Sequence, residues 1–168
     1  TALKALIEGI SIYGKAPFYC SCVRGNDGKS MNVPDIDMRA QQQDYPQWEN
    51  KLLYSMISVR RATFVSILIN VDYIYRVGLP LKEMFIWGDD TEYTLRLTNI
   101  ESGYIVGKSI VIHMRNSQAR IDIFNIKDKD RLKMYGLLVR NEMYVIKRYG
   151  YDNWWRYIKM LKYATVLL

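Results

Sequence analysis

The sequence predicts an α/β fold: strands layered with helices, with further helices at the C-terminal end. Two observations carry this. Short β-branched and aromatic runs alternate along the chain with stretches whose apolar residues recur at helical spacing. The 168 residues are 49% apolar and 24% charged, enough for one ordinary domain with a real core and unlike disordered or collagen-like chains.

In chain order, Ala2–Tyr13 reads as a helix, because Leu3, Leu6, Ile7 and Ile10 share one face, and Gly14 and Pro17 stop it. Phe18–Val23 reads as a strand, followed by the turn signal Gly25-Asn26-Asp27-Gly28. Residues 29–50, with Pro34, Pro46 and three consecutive glutamines at 41–43, read as a long surface loop of the kind that often binds ligands. Arg61–Ile69 reads as one buried strand containing Phe64, Val65, Ile67 and Leu68. Val71–Val77 is a short helix ending at Gly78. Thr91–Ser102 is a helix with Gly103 as its stop. Tyr104–Val106 and Ser109–His113 are strand-like, and helices follow near Lys129–Tyr149 and Asn153–Leu167. A boundary near residue 115 separates the sheet-forming part, 1–115, from a basic, aromatic helical segment, 116–168.

Charge marks the same boundary. Residues 1–113 carry 12 basic and 12 acidic side chains, whereas 114–168 carry 12 basic and 5 acidic. A one-sided basic segment points to an anionic partner or to a solvated helical face. Cys20 and Cys22 fall on one face of a strand, too close in sequence for an unstrained bridge. Two buried thiols suit a reducing, cytoplasmic setting. No run of about 18 uncharged apolar residues predicts a transmembrane helix. Thr1–Ile10 has no signal-peptide pattern.

The densest chemistry lies in Phe85-Ile86-Trp87-Gly88-Asp89-Asp90-Thr91-Glu92-Tyr93, where three acids fall within four residues at a loop-to-helix junction. Acids there favour the helix dipole. Two adjacent aspartates on a glycine-containing turn also suit a general base or a metal ligand. His113, the one histidine, closes a strand, where α/β sites are built, and imidazole is a common metal ligand. Asp35-Ile36-Asp37 and Asp128-Lys129-Asp130 are weak metal-binding patterns.

The run Val77-Gly78-Leu79-Pro80, the block Met84–Arg96 around Trp87-Gly88-Asp89-Asp90-Thr91-Glu92-Tyr93, Ser102-Gly103-Tyr104 and Val111-Ile112-His113 resemble the second half of inverting family 2 glycosyltransferases of the GT-A fold. The rhamnosyltransferases and galactofuranosyltransferases among them are the nearest in pattern. Gly136–Tyr144 resembles the Arg-Asn helix of the same group, and 2–10 with 18–23 resemble the helix and strand after its metal-binding Asp-x-Asp. The resemblance implies that Asp90 is the general base, that Asp89 and Glu92 orient the acceptor or the base, and that Trp87 and Gly88 line the sugar site. His113 would join a divalent cation, Mg or Mn, on the leaving diphosphate. The implied partners are a nucleotide diphosphate-sugar donor and a glycan or polyprenyl-linked acceptor.

The family's nucleotide-binding first half has no counterpart here, so this chain is expected to be the acceptor-side portion and inactive alone. Ser66 replaces a small glycine of many relatives.

At the C-terminus, Asp152 is expected to cap a helix. Trp154, Ile158, Leu161 and Thr165 share one face, and Arg156, Lys159 and Lys162 recur every three residues. That face either packs on the protein or meets an anionic membrane surface, which would place the protein peripherally at the inner face of a bacterial membrane. The alternative to an enzyme is a basic, aromatic module binding nucleic acid or membrane without catalysis. The acidic block argues against nucleic acid. An exposed sheet edge would favour self-association.

Overall fold

A computed structural model describes residues 1–39, 48–114, 123–126, 128–150 and 154–167. The glutamine run at 41–43 and the capping role of Asp152 lie outside these residues. The chain forms two compact units. The first comprises Thr1–Leu79 and Tyr93–Gln118, the second Pro80–Glu92 and Ala119–Leu168.

The first unit is α/β. Helix α1 (Ala2–Tyr13) is capped by Thr1, whose hydroxyl accepts from the Lys4 amide. Strands β1 (Phe18–Arg24), β2 (Asp35–Ile36), β3 (Met56–Arg61), β4 (Ile67–Ile69) and β5 (Gly103–Ile112) form one sheet in the order β2-β3-β5-β1-β4. The sheet is mixed: β1 and β5 run parallel, and the other pairs are antiparallel. Helix α2 (Val71–Val77) follows β4, capped by Asn70, whose side chain accepts from the Asp72 amide.

Strand alternation sorts β1 between two cores. Phe18 and Cys20 pack with Val59, Ala62, Tyr73, Tyr93 and Leu97. Tyr19, on the opposite face, packs with Leu6, Met56, Tyr104 and Val106. Helix α1 thus covers one sheet face, while α2 and the later part of α3 (Asp89–Thr98) cover the other. Gly103 is required here: a Cβ at that position would run into the Phe18 ring.

Several elements depart from the sequence expectation. Arg61–Ile69 is not one strand. The β3 ladder ends at Arg61, a turn intervenes, and Phe64 and Val65 are exposed there. An apolar run had masked the turn. The helix expected at Thr91–Ser102 starts at Asp89 and ends at Thr98, and Gly103 opens β5 instead of stopping a helix. The two expected strands after it are one, with a register irregularity opposite Ser21 and Cys22. The expected loop at 29–50 contains the two-residue strand β2.

In the first unit the acids are held by internal donors. Asp37 is buried, yet it accepts from the Arg39 guanidinium and from Ser102 Oγ at 2.7 Å. Burial alone would raise its carboxyl, but those hydrogen bonds outweigh burial and hold it below the usual range. Asp35 pairs with Arg61 at 2.8 Å. The first Asp-x-Asp therefore braces β2 and β3. Glu101 accepts from Tyr13 at 3.2 Å and Tyr73 at 2.5 Å. Burial, with Glu101 second, pushes the Tyr73 phenol up to about 12. Cys20 and Cys22 form no disulfide, and burial raises both thiols.

The second unit is helical. Helix α4 (Lys129–Tyr149) begins at Asp128, whose carboxylate accepts from the Asp130 amide at 3.0 Å, so the second Asp-x-Asp starts a helix. Gly150 ends it in the left-handed region. Helix α5 (Trp154–Leu167) packs on α4. It does so through Met160 and Tyr163, while Ile158 of the expected face is half-buried and Leu161 and Thr165 of that face are exposed. Among the described residues no helix is long and apolar enough to cross a membrane.

Candidate functional site

The acidic block enters the second unit along an unusual backbone. Phe85 has φ 55° and ψ −66°, and the Ile86 amide bonds Met84 O at 2.7 Å. This is the rarer, strained hand of γ-turn. Trp87 follows at φ 56° and Gly88 at φ 103°. Positive φ values outside glycine, as at Phe85 and Trp87, cost free energy and persist only where the surroundings enforce them.

Asn141 supplies that enforcement. It lies on α4 and is fully buried, and its Nδ2 donates to three carbonyls of the loop: Met84 at 2.8 Å, Ile86 at 3.3 Å and Trp87 at 2.8 Å. Its Oδ1 accepts from Arg140 Nε at 3.0 Å, which fixes the amide with its donors toward the loop. Arg140 also donates to Glu83 O. Gly88 completes the fit: a Cβ there would stand 3.0 Å from Asn141 Cβ.

From this loop α3 starts at Asp89, so all three acids fall in its first turn, where the helix dipole favours them. Asp90 Oδ1 accepts from the Thr91 amide at 2.7 Å. Glu92 is buried and accepts from Tyr149 Oη at 2.6 Å. A cavity of about 380 Å³ opens beside the turn, within the range of small-molecule sites. Trp87, Gly88, Asp89, Asp90 and Thr91 form one wall. Tyr135, Leu138 and Glu142, on one face of α4, form the second. Arg156, Lys159, Met160 and Tyr163, at the same helical spacing on α5, form the third. The rings of Trp87 and Tyr135 lie 5.1 Å apart, and Tyr135 meets Tyr163 edge-on at 6.5 Å.

Four of the expected site residues, Trp87, Gly88, Asp89 and Asp90, thus line one cavity. Glu92 does not line it and instead ties α3 to Tyr149 of α4. His113 belongs to the first unit, just after β5, with Nδ1 3.2 Å from Asn32 Oδ1. With Nδ1 protonated, Nε2 is the nitrogen able to take a metal. One imidazole is a sparse donor set for Mg or Mn, which prefer several oxygen ligands. Among the described residues no group of three or more His, Cys, Asp and Glu gathers around a common point.

Sequence reasoning missed Asn141, Tyr135, Glu142 and Tyr163. The three-and-four spacing of Tyr135, Leu138 and Glu142 was the available signal, but periodicity does not say that such a face borders a cavity. With family models no match is found, and none is found with curated proteins.

Proposed function

We propose that this chain takes part in inverting sugar transfer, as the acceptor-side portion of a GT-A-like glycosyltransferase with Asp90 as general base. The observation that carries the reading is Asp90 on the wall of a 380 Å³ cavity, beside Trp87, at the end of a strained loop pinned by Asn141. Strain held by a buried side chain next to a carboxylate is characteristic of a preorganised site.

The reaction is bimolecular displacement at the anomeric carbon of a nucleotide diphosphate-sugar. An acceptor hydroxyl, oriented in the cavity, loses its proton to Asp90 as its oxygen forms the new glycosidic bond. The bond from the anomeric carbon to the diphosphate breaks, the nucleotide diphosphate departs with the electron pair, and the configuration inverts. Trp87 offers an aromatic face to the sugar ring. Asp89 and the first turn of α3 keep the base on a rigid element. A divalent cation, Mg or Mn, would neutralise the leaving diphosphate in such chemistry. Of the expected residues here, His113 would give it one ligand.

The test is transfer from a panel of radiolabelled nucleotide-sugars to a bacterial membrane extract, using the polypeptide as the cell makes it. Asp90→Asn is expected to lower transfer by about 100-fold or more with an unchanged thermal melt. Transfer at the native rate by this variant, or none from any donor by a native polypeptide that includes a nucleotide-binding half, refutes the proposal.

A second reading, compatible with the first, is contact of α5 with an anionic membrane. Its support is a face of α5 on which Trp155 is 77% exposed, with Lys159 and Lys162, one and two turns on, also exposed. An interfacial tryptophan with flanking cations suits a headgroup region. Flotation with vesicles containing phosphatidylglycerol is expected to carry the protein upward at low salt and to lose it on Trp155→Ala. Flotation that ignores both the variant and salt contradicts it.

A further inference from the structure

Glu142 bears on what the cavity accepts. Its side chain lines the cavity and is only 8% exposed. Oε1 accepts from Arg156 Nη2 at 3.2 Å, and Oε2 is buried with no hydrogen-bond partner. A buried carboxylate oxygen without a donor is costly, and such groups in native structures call for an explanation. The last torsion of a glutamate is soft, so this oxygen can turn toward the cavity with little strain.

The charges around it narrow the answer. The lining carries three carboxylates, Asp89, Asp90 and Glu142, against two cations, Arg156 and Lys159. Arg156 is already engaged by Glu142. A phosphate or carboxylate on the ligand would meet a net negative lining and would bring no proton to Oε2. A hydroxyl or an ammonium brings one. The rings of Trp87, Tyr135 and Tyr163 add faces that favour sugar C–H groups and cations over anions.

We infer that the cavity selects a neutral or amine-bearing sugar, one that donates a hydrogen bond to Glu142, and excludes phosphorylated or carboxylated sugars. Glu142 is the specificity-determining residue. The inference rests on the sugar-transfer reading of the same cavity and adds the charge class of the acceptor sugar.

The test is NMR titration of the isotopically labelled chain with glucosamine, glucose, glucuronate and glucose 6-phosphate, which share one ring and differ in charge. Glucosamine and glucose are expected to shift the Trp87 indole signal and to bind at least about fivefold more tightly than the two anions. Glu142→Gln is expected to shrink that gap to within about twofold by removing the repulsion. If this variant does not fold, the native protein decides the matter: high salt is expected to narrow the gap by screening. Anions binding as well as neutral sugars overturn the inference, as does a gap untouched by both Glu142→Gln and salt. In those cases sugar binding at Trp87 still stands. Absence of any sugar binding at Trp87 overturns this inference and the sugar-site reading together.

Discussion

In the first unit the buried carboxylate of Asp37 accepts from Arg39 and Ser102, and the carboxylate of Glu101 accepts from two tyrosines. In the second unit Glu142 keeps one oxygen on Arg156 and leaves the other without a donor. The backbones differ in the same sense. The sheet of the first unit is built around two apolar cores, and its positive-φ residues outside glycine, Asn32 and Ser55, stand far apart in sequence. In the second unit Phe85, Trp87 and Gly88 all have positive φ within four residues. The second unit gathers strain and an unsatisfied carboxylate oxygen around one cavity, the pattern expected of a site that is completed by its ligand.

The sharpest way to break this contrast is to remove the residue that holds the strain. Asn141→Ala leaves three loop carbonyls without their shared donor, and is expected to cost about 3 kcal/mol. Hydrogen exchange is expected to show the loss concentrated in residues 84–92, with the amides of β1 and β5 unaffected. Uniform loss across both units would erase the distinction. Gly88→Ala acts on the same contact from the other side. It places a Cβ 3.0 Å from Asn141 Cβ at a φ of 103°, and about 2 kcal/mol of destabilisation is expected in urea melts.

The corresponding test in the first unit uses pH. The folded carboxyl of Asp37 lies below its unfolded value, so its contribution is complete above about pH 4 and is lost as pH falls through the folded value. Asp37→Asn is expected to lower the melting temperature at pH 7 and to flatten the fall of native stability below about pH 4. An unchanged acid limb would show that Asp37 is not the titrating brace. The smallest effect is expected from Tyr149→Phe, which deletes the 2.6 Å hydrogen bond to Glu92. About 1–2 kcal/mol should appear in thermal melts, with sugar affinity little changed because Glu92 does not line the cavity.

Much of the fold was legible in the sequence. The helices at Ala2–Tyr13, Val71–Val77 and Lys129–Tyr149 follow from apolar spacing, polar caps and terminal glycines, signals that are local. The break between β3 and β4 was not, because Phe64 and Val65 continue an apolar run across an exposed turn. The site was half legible. Three acids beside Trp87 and Gly88 stand out in any reading, and four of those residues share the cavity. The remainder depends on residues of α4 and α5, far along the chain from the acidic block. Nothing local in Asn141 tells that its amide will hold the backbone around Trp87, and nothing local in Glu142 tells that one of its oxygens will lack a donor.

The central claim, that Asp90 takes the acceptor proton while its neighbour only supports it, is tested most directly by comparing kcat/KM for Asp89→Asn and Asp90→Asn in the transfer assay. The account predicts a loss of about 100-fold or more for Asp90→Asn and a loss at least tenfold smaller for Asp89→Asn. An equal or larger loss for Asp89→Asn would contradict it.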